Sequence, residues 1–309
     1  MATPAEIAAA FHWLLGRAAT ADEVRAWAAV PEAALRERLM ATEAFAIALP
    51  SSAVRMRDER QAIEWDVSSD IAAELLARVQ AHWTRLGETM PHWSVAGKPA
   101  FMPDQIDGNR AAFLASGAQD VAHLVTILAR HGWQPGDLPR VMDFGCGVGR
   151  MTAPMADWFS VVAGCDVSPS HLALARAACG SRVQFSLVNA LDFGMAAPFD
   201  LWFSTRTLQH NPPPVTALIL RRAFSLLTPG GVAVFQVPTA RVGYSYDSAA
   251  ALSDSKPSET LPIHVLPQGA VFALAAEAGC IPVEVLEDSM VWPPTLCRSN
   301  SFVIRKPRS

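Results

Sequence analysis

At 309 residues, with a formal net charge of −4 and 51% hydrophobic side chains, the chain can build a sizeable core and presents no broad cationic face. That excludes a nucleic-acid substrate gripped along its phosphates. The five scattered cysteines show no paired spacing, which excludes a disulfide framework. No run of about eighteen apolar residues offers a membrane span, and the amino terminus, carrying Glu6 and His12, lacks the basic start of a signal peptide. A cytoplasmic, reducing setting is expected.

Residues 1–60 read as a helical module. Ile7, Phe11, Leu14 and Leu15 recur at helical spacing. Thr20 followed by Glu23 is a capping-box pattern ahead of Val24 and Trp27. Pro31-Glu32 opens a third helix through Leu35, Leu39 and Met40. The stretch Phe11-His12-Trp13-Leu14-Leu15-Gly16-Arg17, with Trp27 and Leu39-Met40-Ala41-Thr42-Glu43-Ala44-Phe45, resembles a small helical module. That module accompanies glycosyltransferases and methyltransferases of bacterial surface-polysaccharide and glycoconjugate pathways. The resemblance implies a carbohydrate acceptor, and a protein partner or self-association through the module. A helical cap without a function of its own accounts for the same residues. Pro50-Ser51-Ser52 and the charged run from Arg55 to Arg60 read as a surface connection.

Residues 61–135 are expected to form a helical and loop-rich lid. Ser69 to Leu86 reads as a helix with Ile71, Leu75, Leu76 and Val79 on one stripe. Trp83, Pro91-His92-Trp93-Ser94-Val95 and Phe101 are dense in rings, which either line a pocket or fold into the core. Phe113 to Gly117 ends one short helix, Asp120 to His131 forms the next, and Gln134 to Pro139 is a turn-rich linker.

Residues 136–309 alternate strand and helix, the pattern of a parallel sheet covered on both faces. The strands are expected at Arg140 to Phe144, Val161 to Cys165, Val183 to Val188, Phe199 to Phe203, Val232 to Val237, Ile281 to Leu286 and Ser301 to Arg305. The first runs into Asp143-Phe144-Gly145-Cys146-Gly147-Val148-Gly149, and a helix is expected to open at Arg150-Met151-Thr152. Glycines let a ligand lie against the backbone, and a helix start aims N–H groups at it. The dinucleotide fingerprint sets its third glycine one residue later. Asp143 would also repel a pyrophosphate and suits a ligand with an ammonium group, so a nicotinamide-dependent oxidoreductase is disfavoured. Asp166 ends the second strand about 20 residues on, where a carboxylate can accept from ribose hydroxyls or simply charge a helix start.

This loop, Asp166-Val167, Asn189-Ala190 and Phe199-Asp200-Leu201-Trp202-Phe203-Ser204 together resemble class I S-adenosylmethionine-dependent methyltransferases. The fold class implied is α/β: a doubly wound, mostly parallel seven-stranded Rossmann-like sheet with an amino-terminal helical extension, its last strand antiparallel and inserted beside the fifth. The cofactor implied is S-adenosylmethionine. Its residues by this resemblance are Asp143, Gly145, Cys146, Gly147, Gly149, Asp166, Val167, Asn189, Ala190, Ser204 and Thr205, with Ser116 and Gly117 closing from the lid. Asn189 stands where the family usually has Asp, and Asp192 is close enough to substitute. The activity implied is in-line methyl transfer to a hydroxyl of a small molecule or sugar, with no metal, no nucleic acid and no membrane span. A non-catalytic scaffold that keeps the fold is the rival. On the acceptor side His210 is read as a general base or as a structural cap. Tyr244 and Tyr246, the two tyrosines of the chain, and His264, a second base candidate, are expected to converge with it, closed over by His92 and Trp93.

Overall fold

The computed structural model describes residues 2–15, 17–40, 42, 44, 61–254, 261–291 and 296–308. Gly16, Ala41, Glu43 and Phe45 of the amino-terminal resemblance, and the connection expected over 50–60, lie outside them. The chain divides into two compact units, one of residues 1–61, 240–244 and 288–299, the other of 62–239, 245–287 and 300–309.

The first unit carries α1 (Pro4–Leu15), α2 (Ala21–Trp27) and α3 (Glu32–Met40). Their apolar stripes bury Ile7, Phe11, Leu35 and Leu39 together, and Trp27 meets Phe11 edge-on at 5.8 Å. Thr20 caps α2: its hydroxyl accepts the Glu23 N–H at 3.2 Å, and the Glu23 carboxylate accepts the Thr20 N–H at 2.8 Å.

The second unit is built on a seven-stranded sheet of order β3-β2-β1-β4-β5-β7-β6. Its strands are β1 (Arg140–Phe144), β2 (Val161–Asp166), β3 (Val183–Leu187), β4 (Phe199–Ser204), β5 (Leu227–Arg241), β6 (Ile281–Asp288) and β7 (Cys297–Arg305). The first five pair in parallel. The seventh strand lies between β5 and β6, as the resemblance implied. Successive side chains point to opposite faces. Met142, Phe144, Trp202, Ala233 and Phe235 therefore fill one core and Val141, Leu201, Phe203, Val232 and Val234 the other. Both faces are buried, so the strands read as near-continuous apolar runs.

The helices of this unit are α4 (Ser69–Thr89), α5 (Pro91–Ala96), α6 (Ile106–Arg130), α7 (Thr152–Met155), α8 (Pro169–Cys179), α9 (Pro213–Leu226), α10 (Ser248–Ser253) and α11 (Gln268–Glu277). Leu75 and Leu76 of α4 pack on the first core, and Val121, Leu124 and Leu128 of α6 on the second. By length and composition α6 could cross a membrane, yet these residues face the sheet.

Three local expectations are corrected. The break at Gly117 does not exist, because α6 is continuous; a Cβ there would stand 2.0 Å from the Arg150 carbonyl oxygen, so the glycine permits close approach rather than ending a helix. The helix after the glycine loop is only Thr152–Met155. β5 begins at Leu227, not Val232: Leu227 pairs with Phe199 and Val232 with Leu201, so Thr228-Pro229-Gly230-Gly231 bulges within the strand.

The Phe199-Asp200 to Ser204 motif is explained by strand pairing. Asp200 clamps Arg140, taking its backbone N–H at 3.1 Å and its guanidinium at 3.0 Å, and accepts the Thr228 hydroxyl at 2.7 Å. At the other end Ser204 Oγ donates to the Phe144 carbonyl at 3.0 Å. β1 and β4 are thereby fixed at both ends around the loop that follows.

Candidate functional site

A cavity of roughly 800 Å³, open solvent at its mouth included, lies at the carboxyl ends of β1, β2 and β4. That is where ligands bind in open α/β sheets. Gly145, Cys146, Gly147, Asp166, Val167 and Thr205 line it, as the sequence led us to expect. His210 lines it as well.

The glycine loop is held by its own N–H groups. Those of Gly145 and Cys146 both donate to the Cys165 carbonyl, at 2.8 and 3.0 Å. The Gly147 N–H donates to Asp166 Oδ2 at 2.9 Å. The loop's positive φ values, 75° at Gly145, 53° at Gly147 and 80° at Gly149, lie in the region open to glycine. A Cβ on Gly147 would also stand 2.7 Å from the Val95 side chain, so a larger residue there strikes α5 before any ligand.

Asp166 is fixed by two backbone donors, Gly147 N–H on one oxygen and Ser168 N–H at 2.9 Å on the other. A carboxylate has about four lone-pair sites, so two remain for hydroxyls of a ligand. His171, in the first turn of α8, stands 4.0 Å from Asp166. Burial pushes the His171 imidazole below its ordinary value, against the pull of Asp166. Its Nε2 meets Ser94 Oγ at 3.0 Å and the Pro91 carbonyl at 3.2 Å, tying α5 to α8.

The same cavity has a cationic corner, of which the sequence pointed to Arg206, following Thr205 at the carboxyl edge of the sheet, and not to Arg150 as a binding group. Arg150 and Arg206 both line the cavity and share one carboxylate, Asp120 of α6. Arg150 is almost fully buried and also donates to Ser116 Oγ at 3.1 Å. The Nε atoms of both arginines have no hydrogen-bond partner. Asp120 is the one carboxylate that both guanidinium groups bond, with the buried Asp143 acting on Arg150 from farther off, and a planar guanidinium suits a carboxylate ligand. Among the described residues, Arg206 and Phe193 alone of the non-glycines have positive φ, at 55° and 54°, and both line this cavity. Backbone strain of that kind gathers at binding sites.

Several expected residues fall elsewhere. Asp143 is fully buried behind the loop, where its Oδ2 accepts the Thr152 hydroxyl at 2.6 Å; burial raises its pKa to about 6. It does not line the cavity, so it is no direct seat for an ammonium group. Gly149 packs against Ala175 and Cys179, and Ser204 and Gly117 serve the strand and helix contacts above. Ser116 touches the site only through Arg150. Asn189 and Ala190 are exposed beyond β3, with Val188 and Phe193 lining the cavity in their stead. Asp192 accepts the Gly194 N–H at 3.0 Å instead of facing the cavity. His92 stacks edge-on against Phe113 at 5.2 Å, and neither it nor Trp93 lines the cavity; Trp83, Ser94 and Val95 do.

His210 is buried and both ring nitrogens are engaged. Nδ1 donates to the Pro262 carbonyl at 2.7 Å, so Nε2 is the acceptor, and it takes the Gln209 side-chain amide at 3.1 Å. The chain continues: Gln236 Nε2 donates to Gln209 Oε1 at 3.1 Å, and Gln236 Oε1 accepts the Arg206 backbone N–H at 3.0 Å. Burial lowers the His210 pKa to about 4. This arrangement favours the structural reading of His210 over the base. Tyr246 and His264 meet edge-on at 5.6 Å and line a second cavity with His210. Tyr244 belongs to the first unit, where its N–H closes a turn on the Arg241 carbonyl at 3.1 Å.

Residues 141–231 match a family model described as a methyltransferase domain. The chain is 38% identical over 119 residues to a trans-aconitate 2-methyltransferase of Streptomyces avermitilis, a match covering 36% of this chain and 44% of that one. It is 35% identical over 101 residues to a ubiquinone biosynthesis O-methyltransferase of Thiobacillus denitrificans, covering 31% and 43%. The chain thus spans less than half the length of these relatives. A solved magnesium protoporphyrin IX methyltransferase from Synechocystis PCC 6803 aligns over 76% of this chain and 97% of its own, at 16% identity and a TM-score of 0.49. Residues 141–231 are a methyltransferase domain, and the sheet that contains them has the fold of the class I S-adenosylmethionine-dependent methyltransferases.

Proposed function

We propose that the protein transfers a methyl group from S-adenosylmethionine to an oxygen of a small-molecule acceptor. The observation that carries this reading is Asp166, fixed by two backbone N–H groups beside the glycine loop with two lone-pair sites to spare. The donor set fits the cofactor's polar ends. Asp166 would accept the ribose hydroxyls, and Arg150 and Arg206, which line the cavity, would pair with the amino-acid carboxylate. Val188 and Phe193 offer an apolar surface to the base. When bound there, S-adenosylmethionine would supply an electrophilic methyl group, the sulfur keeping the bonding pair as the acceptor oxygen forms the new bond, and any proton on that oxygen would leave to solvent at the cavity's open mouth. The protein's own contribution is alignment and exclusion of water.

The relatives' names, one for trans-aconitate and one for an O-methyltransferase of ubiquinone biosynthesis, support a small molecule as acceptor and name no carbohydrate. The sugar-hydroxyl reading rests on the amino-terminal module alone. In this reading residues 136–309 hold the cofactor, 61–135 form the lid that supplies Trp83, Ser94, Val95 and Asp120, and the amino-terminal helices are a separate module. A reducing, cytoplasmic setting suits five free, buried cysteines.

The test is turnover with labelled S-adenosylmethionine on a panel of phenols, carboxylic acids and sugars. Acceptor-dependent release of S-adenosylhomocysteine supports the reading. Tight cofactor binding with no transfer to any of them would favour the scaffold.

A further inference from the structure

β4 ends at Ser204, which pairs with Phe235 of β5. One residue farther along β5 is Gln236, on the same side of the strand as Val232 and Val234 of the second core. It is buried and carries an amide where its neighbours are apolar. It does not line the cavity. A buried amide is costly unless it is hydrogen-bonded, and both ends of this one are. Oε1 accepts the Arg206 backbone N–H at 3.0 Å, and Nε2 donates to Gln209 Oε1 at 3.1 Å.

The direction of this chain is fixed from both ends. The Arg206 N–H can only donate, so the Gln236 oxygen must face it. The Pro262 carbonyl can only accept, so His210 Nδ1 donates to it and Nε2 takes the Gln209 amide. Turning either amide over would set donor against donor. The Gln209 backbone is held as well, its carbonyl accepting the His264 N–H at 2.7 Å. His210 is the far end of the chain, so its loss leaves the Gln236 bond to Arg206 with both partners.

Arg206 needs such a hold. Its φ of 55° lies in the left-handed region, where a side chain is strained and persists only if its surroundings keep it there. Its guanidinium donates to Asp120 and lines the cavity. The next residue, Thr207, fits against the glycine loop: its hydroxyl is 3.4 Å from the Gly145 carbonyl, and a Cβ on Gly145 would stand 2.2 Å from its methyl group. Gln236 thus fixes the Arg206 backbone while Asp120 takes its side chain.

We infer that Gln236 is a positioning residue for the cofactor: by holding the Arg206 backbone in its left-handed conformation, it keeps the guanidinium at the cavity wall, where it meets the amino-acid carboxylate of S-adenosylmethionine. This rests on the cofactor reading of the cavity. Gln236 touches no ligand and acts only through Arg206. Without its carbonyl oxygen the Arg206 N–H is left unmatched, which a buried donor tolerates poorly, and the strained φ loses its support.

Isothermal titration of the full chain with two ligands tests this. S-adenosylhomocysteine carries the amino-acid carboxylate; 5′-methylthioadenosine keeps the nucleoside and lacks it. Gln236→Met, close in shape but without an amide, should weaken S-adenosylhomocysteine roughly three- to tenfold, the range of one hydrogen bond. It should leave 5′-methylthioadenosine within about twofold. Gln236→Asn, whose amide falls one methylene short of Arg206, should behave alike and serves if the methionine variant does not fold. In an Arg206→Gly background either substitution should change S-adenosylhomocysteine affinity by less than about twofold. Equal weakening of both ligands would overturn the inference and leave Gln236 a packing residue. Unchanged S-adenosylhomocysteine affinity, or the same loss again in the Arg206→Gly background, would overturn it too. Failure of the wild type to bind either ligand would instead overturn the cofactor reading, and the inference with it.

Discussion

The Gly147 N–H donates to Asp166 Oδ2 at 2.9 Å, joining the glycine loop to the end of β2. The same carboxylate therefore shapes the loop and presents its remaining lone pairs to the cavity. Asp166→Ala removes both functions. S-adenosylhomocysteine affinity should fall about 10- to 100-fold, since a hydrogen bond to a charged group is worth roughly 1.5–3 kcal/mol. Calorimetry on the folded variant checks this; an affinity within twofold of wild type would mean that another group holds the ribose.

Arg206 holds a positive φ of 55°, which a side chain adopts at a cost of roughly 1–2 kcal/mol. Arg206→Gly relieves that strain and removes the guanidinium that pairs with Asp120. The two effects oppose each other in stability and not in binding. The melting temperature should stay within a few degrees of wild type, while S-adenosylhomocysteine binding weakens about tenfold or more. Unchanged affinity would show that the cationic corner does not face the cofactor's carboxylate.

Asp200 is held below the ordinary carboxylate range, first by the Arg140 guanidinium and also by the Thr228 hydroxyl. Its folded-state pKa lies under the unfolded value. The stability it contributes is complete above the unfolded pKa near 3.9 and is lost as pH falls through the folded one. Asp200→Asn should destabilise by about 1–2 kcal/mol at pH 7, discounted for the partly exposed Arg140 partner. Urea unfolding at pH 7 and at pH 3 should show the gap between variant and wild type narrowing with acid. A constant gap would assign the cost to packing instead.

His210 has the opposite linkage. Burial puts its folded pKa near 4, below an unfolded value of about 6.5. The unfolded chain protonates first as pH drops, so this residue's contribution is complete above about 6.5 and declines toward 4. His210→Ala should lower stability at pH 7 and flatten its dependence between those values, with cofactor affinity nearly intact. A loss of turnover of 10²-fold or more per folded molecule, without a stability change, would restore His210 as the base.

What the sequence made legible was local. Glycines at 145, 147 and 149 sit between an apolar strand and an acid about 20 residues on, a pattern carried by short-range chemistry. Asp200 and Ser204 were also visible, although their partners Arg140, Thr228 and the Phe144 carbonyl are known only once β1, β4 and β5 are side by side. The missed features are tertiary. Gly117 looked like a helix end because nothing in the sequence brings the Arg150 carbonyl against it. Arg206 and Phe193 betray no positive φ in their residue type. Trp83, and not Trp93, faces the cavity, because α4 and α5 turn their rings differently toward the sheet. Arg150 was the one missed residue with a sequence signal, a cation directly after the glycine loop.

The central claim is that the cavity between the glycine loop, Asp166 and the two arginines holds S-adenosylmethionine. Isothermal titration of the full chain with S-adenosylhomocysteine, with NAD in a parallel run, tests it most directly. The account predicts one S-adenosylhomocysteine site per chain with a Kd on the order of micromolar, and no binding of NAD. No heat with S-adenosylhomocysteine, or tighter binding of NAD, would contradict it.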